Sequence, residues 1–181
     1  AFFKKHKIAV NVVPQSYSIN LFLRDGVDAA SAMWYNEYHS MLNAGINADE
    51  LTTFAYSDYG LNFPEDGLYV MDELVKKDPA SVCNFVRASI EGWKYSFDHP
   101  DKAIEIILKY MTEAKVPANK AHQKWMLDRM KDIIMEPAVS PGTLKKEDYD
   151  RVGWELKESG LIREIPDIKS FSFTCGDNVQ K

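Results

Sequence analysis

Four residues in one short stretch carry side chains suited to holding a small ligand. They are Trp34, Asn36, Glu37 and Tyr38. The carboxylate and the amide supply hydrogen-bond acceptors and a donor, and the two aromatic rings supply flat faces on which another ring can stack. Later in the chain, Asp58-Tyr59 repeats the combination of an acid beside an aromatic ring. We take these six residues as candidate ligand-binding residues.

The segments around Glu37 predict how these side chains are positioned. Asp28 to Tyr35 is short and rich in small and apolar residues, which predicts a strand. Asn36 offers an amide oxygen as an N-cap, and the helix that follows from Glu37 ends at Gly45, where a left-handed cap is expected. In open α/β sheets, ligands bind where a strand's carboxyl end meets a helix start. The pattern therefore predicts a binding position at this turn.

Alternating segments in the first third of the chain predict an α/β fold. We expect a strand at Ile8 to Val13, a helix at Ser16 to Leu23 with Tyr17 and Leu21 facing inward, and then the strand that leads to Tyr35. Such a βαβ unit implies parallel strands and a right-handed crossover. Two further strands are predicted at Leu51 to Tyr56 and Gly67 to Met71.

The remainder of the chain has clear helix signals. Asp78-Pro79 supplies an N-cap and a first-turn proline for a helix with one apolar face. That face consists of Val82, Val86, Ile90, Trp93 and Phe97. Three more helices are predicted: one from near Pro100, one from Asn119 until Pro137 breaks it, and one after Thr143 that ends at Gly160.

Composition excludes several classes of function. The net charge of −5 offers no basic surface for nucleic acid, and no run of eighteen apolar residues predicts a membrane span. The four histidines are scattered, and neither a metal-ligand spacing nor a glycine-rich phosphate loop is present in the sequence. We therefore expect no catalytic residue, no metal and no cofactor, and we expect a protein that is not an enzyme.

The two cysteines, Cys83 and Cys175, lie far apart and fit neither a zinc spacing nor a disulfide framework. We expect Cys83 to lie as a small apolar residue in a helix rather than in a bridge.

The motifs together resemble one protein family. The stretch GVDAASAMWYNEYHSMLNAG, followed by FPEDGLYVMDEL and DPASVCNFVRASIEGWKYSFDHPDKAIEIIL, is similar to the carboxyl-terminal half of NMT1/THI5-like substrate-binding proteins of ABC transporters. These include binding proteins for thiamine pyrimidine precursors and, more distantly, for alkyl sulfonates. The matching features are the G-x-D-A strand pattern, the aromatic W-x-N-E turn, the N-x-G helix ending and the A-x-x-x-G-W-x-Y helix.

The resemblance implies a type II periplasmic-binding-protein-like fold, in which two α/β lobes close on a ligand. On this basis residues 1–64 form the βαβ-rich part of the second lobe, and residues 65–181 form a hinge strand and the helical part that belongs to the first lobe. We expect the chain to contain most of lobe 2 and the returning helices of lobe 1. The missing amino-terminal half, or a second copy that exchanges helices about a hinge near Asn62 to Gly67, would then cover the helices in a domain-swapped dimer.

The resemblance also implies a function. The chain would be the extracytoplasmic substrate-binding component of an ABC importer, either periplasmic or a lipoprotein, with an ABC permease as partner. Its ligand would be a thiamine-related aminopyrimidine. On this resemblance, the Glu37 carboxylate would accept a hydrogen bond from the amine of that ligand.

Two alternatives remain. One is a pyrimidine precursor synthase-like enzyme of the same fold, whose His/Cys cluster for pyridoxal phosphate this chain lacks. The other is a protein that binds sulfonate or another small anion, although no Lys or Arg occurs between Asp25 and Met71.

Each candidate residue also has a simpler interpretation. Glu37 suits the first turn of a helix because the helix dipole favours an acid there. Trp34 and Tyr38 could fill a core, and Asp58 and Tyr59 could be plain turn residues.

Overall fold

The computed structural model describes residues 2–16, 18–136 and 141–175 of the chain. Within these ranges the secondary structure is helical, and none of the described residues belongs to a β-strand. The helices in chain order are α1 (Phe2–Lys5), α2 (Asn20–Leu23), α3 (Glu37–Asn43), α4 (Asp72–Lys77), α5 (Pro79–Asp98), α6 (Pro100–Glu113), α7 (Lys120–Ile134), α8 (Lys146–Glu158) and α9 (Ile168–Phe171), with 3-10 turns at Ala48–Glu50 and Tyr56–Tyr59.

The chain forms two compact units, and each is built from segments that are distant in sequence. Unit 1 contains Ala1–Asn11, Phe54–Glu91 and Ser140–Lys181. Unit 2 contains Val12–Thr53 and Gly92–Val139.

The predicted α/β, type II periplasmic-binding-protein-like fold is wrong for the residues that the structure describes. The segments expected as strands, including Ile8 to Val13 and Gly67 to Met71, are irregular there, and Tyr56 begins a 3-10 turn. A strand is stabilised when its N–H and C=O groups pair with a neighbouring strand, and none of the described segments supplies such a neighbour. Their β-branched and aromatic side chains remain uncovered: Val12 is 73% exposed and Tyr69 is 88% exposed. The predicted βαβ crossover is wrong for the same reason.

The helix predicted at Ser16 to Leu23 is shorter than expected. It is formed at Asn20–Leu23, where Leu21 is 45% exposed rather than facing inward. Tyr17 lies outside the described residues.

The helix that begins at Glu37 agrees with its sequence signals at its C-terminal end. Gly45 has a positive φ of 98°, which an L side chain disfavours and glycine tolerates. The Gly45 N–H donates to the Leu42 carbonyl at 3.0 Å, and the Ile46 N–H donates to the Met41 carbonyl at 3.3 Å. This pair of bonds is a Schellman cap, which satisfies carbonyls that the helix end leaves free.

The four predicted carboxyl-terminal helices are confirmed as α5 to α8. The Asp78 carboxylate accepts hydrogen bonds from the Ser81 side chain and from the Ser81 N–H, the latter at 3.0 Å, and these bonds lower the pKa of Asp78 below its usual value. Asn119 caps α7 by accepting from the His122 N–H at 3.1 Å. Gly160, with a φ of 73°, ends α8 as predicted. Pro137, the predicted helix breaker, lies outside the described residues.

A disulfide joins Cys83 on α5 to Cys175 in unit 1, with a Cα–Cα distance of 5.6 Å. The expectation that Cys83 is only an apolar helix residue is therefore wrong. Sequence spacing could not reveal the pair, because 92 residues separate the two sulfur-bearing positions and only tertiary structure brings them together.

In unit 1, helix α8 packs against the segment that follows it. The Tyr149 hydroxyl donates to the Pro166 carbonyl at 2.8 Å, and its ring lies 5.1 Å from that of Phe171. Gly153 is close to Ile165, so that an added Cβ would lie only 2.7 Å from the Ile165 Cγ2 atom. These contacts fix the segment after α8 against the helix.

In unit 2, α7 packs against both α3 and α6. The buried side chains of this unit come from several segments. They are Ile19, Met41, Phe97, Ala103 and Ile104.

Removal of the disulfide should destabilise unit 1. The chain-entropy model for a loop of this length gives about 4–5 kcal/mol, because the bond restricts the unfolded chain. We expect the double variant Cys83→Ala/Cys175→Ala to unfold at a lower urea concentration than the oxidised protein. Reductant should lower the midpoint of the wild type and leave that of the variant unchanged. Equal midpoints for the oxidised wild type and the variant would contradict this prediction.

The exposed apolar run at Leu68 to Met71 should cause association. Met71 is 76% exposed, and its neighbours in the run are also exposed. Contiguous apolar surface of this kind favours contact with another molecule. Light scattering should therefore give a mass above 20.7 kDa that increases with concentration. If the protein is a monomer and does not bind a dye for exposed apolar surface, the predicted association through this run is wrong.

Candidate functional site

The Glu37 carboxylate is held at the first turn of α3. Its Oε2 atom accepts a hydrogen bond from the Met33 N–H at 2.9 Å, and its Oε1 atom accepts from the Asn36 amide Nδ2 at 3.3 Å. Each carboxylate oxygen can accept more than one hydrogen bond. The group is therefore oriented by the protein and retains acceptor capacity for a ligand.

Glu37 lines an open cavity of about 200 Å³ in unit 2. The lining residues that the structure describes are Gln15, Ser16, Ser31, Ala32, Met33 and Glu37. Gln15 and Ser31 are joined by two hydrogen bonds: the Gln15 Nε2 donates to the Ser31 carbonyl at 2.9 Å, and the Ser31 N–H donates to the Gln15 Oε1 at 3.1 Å. The described lining residues supply an amide, hydroxyl groups and one carboxylate. None of these lining residues is Lys or Arg.

Trp34 and Tyr38 form an aromatic cluster with Trp125. The Trp34 and Tyr38 ring centroids are 4.5 Å apart, and the Trp125 indole N–H donates to the Trp34 carbonyl at 3.2 Å. Trp34 is 50% exposed, so part of its ring is available for stacking. Neither Trp34 nor Tyr38 is among the described lining residues of the cavity.

Asn36 joins α3 to α7 through its side chain. The predicted N-cap is wrong, because the side chain makes no capping hydrogen bond. Its Oδ1 atom instead lies 3.0 Å from His122 Nε2, while its Nδ2 atom donates to Glu37. A residue expected to act within its own helix therefore connects the candidate carboxylate to a second helix.

His122 also contacts His39. Their Nδ1 atoms are 2.9 Å apart, and the His39 ring is stacked on Trp125 with centroids 4.7 Å apart and an interplanar angle of 11°. Burial lowers the pKa of His39 below its ordinary value, and repulsion by His122 lowers it further. Arg129 lies 5.1 Å from the centroid of the Trp125 ring, on which its positive charge is favourable.

The histidine pair and Trp125 are functional candidates that sequence reasoning missed. His122, Trp125 and Arg129 recur at spacings of three and four residues, which places them on one face of α7. That periodicity was visible in the sequence. The partner on α3 was not, because the sequence does not specify which two helices pack together.

Asp58 and Tyr59 belong to unit 1, whereas Trp34, Asn36, Glu37 and Tyr38 belong to unit 2. Within unit 1, the Tyr59 ring contacts the Phe2 ring with centroids 5.1 Å apart. The Ser57 hydroxyl donates to Asp58 Oδ1 at 3.4 Å. Ligand binding by these six residues stays a prediction.

Two kinds of feature are absent from the described residues. They contain no group of three or more His, Cys, Asp or Glu side chains arranged to hold a metal ion. No helix among them has both the length and the apolar character needed to cross a membrane.

Comparison with known proteins gives one match. Residues 3–103, more than half of the chain, match the family model described as NMT1/THI5 like. Searches of the curated proteins and of the solved structures found no match.

The Trp125 indole should contribute measurably to unit 2. Trp125→Phe keeps an aromatic ring but removes the N–H donor to the Trp34 carbonyl, which should lower the free energy of unfolding by about 0.5–1.5 kcal/mol. Urea unfolding followed by near-UV circular dichroism measures this change. Trp154→Phe, at an exposed position of unit 1, is the matched control and should leave stability nearly unchanged. Equal unfolding curves for wild type and Trp125→Phe would contradict the prediction.

Proposed function

This chain belongs to the NMT1/THI5-like family, and we propose on that basis that it is the extracytoplasmic substrate-binding component of an ABC importer for a thiamine-related aminopyrimidine. Family membership supports a substrate-binding role related to thiamine precursors. The direction of transport, the permease partner and the ligand are the further parts of the proposal.

The observation that carries the proposed ligand is the oriented Glu37 carboxylate on the cavity wall. An aminopyrimidine carries an exocyclic amine, and its N–H can donate a charge-assisted hydrogen bond to a carboxylate oxygen. The second oxygen accepts from the ring nitrogen when that nitrogen is protonated. A sulfonate or other anion would instead meet a negative charge, which disfavours its binding.

The remaining lining of the cavity suits a small polar ring. Its volume of about 200 Å³ is below the roughly 300–1,000 Å³ of pockets for drug-sized ligands, so it fits a ligand with one ring. The Gln15 amide and the Ser16 and Ser31 hydroxyls can donate to ring nitrogens or bond to a hydroxymethyl substituent. Trp34, which follows the lining residue Met33 in sequence, is half exposed.

The disulfide supports import rather than synthesis in the cytoplasm. Disulfides persist in oxidising compartments and are rare where glutathione and thioredoxin keep thiols reduced. Cys83 and Cys175 are bonded in unit 1. A protein that keeps this bond fits a periplasmic or lipoprotein location, where a binding protein meets its permease.

Calorimetry on the 181-residue chain tests the ligand. We expect binding of hydroxymethylpyrimidine or its formylamino relative and no comparable binding of taurine. Tight taurine binding without a response to either pyrimidine would contradict the proposal and favour the anion-binding alternative. Turnover of a pyrimidine precursor by the purified chain would favour the synthase-like alternative.

Glu37→Gln tests the proposed contact directly. The substitution keeps the shape of the side chain but replaces one acceptor by a donor, so that two donors face each other. Affinity for the pyrimidine should decrease by about 2–4 kcal/mol, from the loss of a charge-assisted bond and an unpaired polar group. Asp49→Asn, at an exposed carboxylate of the same unit, is the matched control and should bind like wild type. Unchanged affinity in Glu37→Gln would return Glu37 to its simpler role at the helix dipole.

A further inference from the structure

We propose that His39 and His122 form a proton-sensitive latch between α3 and α7, which holds Asn36 and Glu37 in place and opens when both imidazole rings are protonated. The latch is a property of unit 2 and can be measured without ligand. Its effect on affinity rests on the function proposed above.

The hydrogen bonds of Asn36 determine the tautomer of His122. A carboxylate only accepts hydrogen bonds, so the Asn36 group 3.3 Å from Glu37 Oε1 is the donor NH₂. The Asn36 amide oxygen therefore faces His122 Nε2 at 3.0 Å. His122 must carry its proton on Nε2 to donate to that oxygen.

The tautomer of His122 in turn determines that of His39. When His122 is neutral and protonated on Nε2, its Nδ1 atom is an acceptor. The His39 Nδ1 atom, 2.9 Å away, must then carry the proton and donate it. The Asn43 Nδ2 atom lies 3.2 Å from the same His39 atom, so this arrangement requires the Asn43 amide to be flipped so that its oxygen accepts. A continuous series of hydrogen bonds thus runs from Glu37 through Asn36 and His122 to His39.

The contact between the rings holds one proton and cannot hold two. A first proton on His39 Nε2 leaves the shared bond intact, because His39 Nδ1 still donates to His122 Nδ1. A second proton, on His122 Nδ1, places two N–H groups against each other at 2.9 Å. It also places two positive charges on adjacent rings. The doubly protonated pair therefore separates.

Burial and the neighbouring positive charges favour the neutral form of His39, and the Glu37 carboxylate opposes them. Burial and the neighbouring ring lower the pKa of His39. On α7, Arg129 adds a positive charge over the Trp125 ring on which His39 stacks. On α3, the Glu37 carboxylate reaches the pair through Asn36. Helix α6, which packs on α7, carries Lys102–Glu105 and Lys109–Glu113, and each of these pairs is joined within α6.

The sign of the pH effect follows from the lowered pKa of His39. The unfolded chain binds a proton at His39 more readily than the folded chain does. The contribution of neutral His39 to stability is therefore fully present above the ordinary histidine pKa of about 6.5 and is lost as the pH falls through the lowered pKa of the folded state. Opening removes the α7 partner of the Asn36 amide, and with it one of the two restraints on the Glu37 carboxylate.

Nitrogen-15 NMR of the histidine rings tests the latch without ligand, from about pH 8 to about pH 5, the range in which histidine titrates. At the upper pH, we expect the Nε2–H tautomer for His122 and the Nδ1–H tautomer for His39. The Asn36 side-chain amide signals should move together with the two rings. Independent titration of the two rings, both as Nε2–H tautomers, would overturn the proposal.

Substitutions separate the latch from the ligand. His39→Asn places an amide donor near the position of Nδ1 but does not titrate, so its pyrimidine affinity should vary less with pH. Wild type should lose about tenfold in affinity as the pH falls over this range, which is within the usual coupling between two linked sites. His99→Gln is the matched control and should keep the wild-type pH dependence. An equal pH dependence in His39→Asn and wild type would overturn the coupling.

The two proposals fail in distinguishable ways. If the two histidine rings titrate together but the protein binds no pyrimidine, the latch stands and only the proposed ligand is contradicted. Pyrimidine binding to a protein whose rings titrate independently would contradict only the latch.

Discussion

The contact between α3 and α7 is the interaction on which the candidate site depends. Helix α3 has only seven residues, and so short a helix gains little stability from its own backbone hydrogen bonds. The His122 ring and the Trp125 indole both reach the turn before α3, one at Asn36 and the other at Trp34. The orientation of Glu37 therefore depends on a helix that begins more than eighty residues later in the chain.

The parts of the fold that sequence predicted are those determined by local chemistry. Proline and aspartate at the start of α5, Asn119 before α7 and Gly160 after α8 each act within a few residues of their own position. Glu37 was placed correctly at a helix start for the same reason. The strands were predicted wrongly because β-branched residues such as Val12 express only a preference. A strand also requires a partner, and the described chain offers none.

The site beyond Glu37 was predictable only in part, because its geometry depends on contacts between distant segments. His122, Trp125 and Arg129 could have been grouped from their spacing on one helix face. Their approach to His39 is a tertiary contact, as is the pairing of Cys83 with Cys175. Asn36 is the clearest example of a contact that the sequence does not specify. Its residue type suggested a cap, but packing provides it with a better partner on another helix.

The division of the chain into discontinuous units has a consequence for the order of folding during synthesis. Unit 2 needs no residue beyond Val139, so all of its segments are available before Ser140–Lys181 has been added. Unit 1 begins first in sequence but also requires Ser140–Lys181, and its disulfide waits for Cys175. Domains usually fold from the amino terminus as the ribosome releases them. In this chain unit 2 can therefore form before the segments of unit 1 are all present, and Cys83 has no disulfide partner until Cys175 has been made.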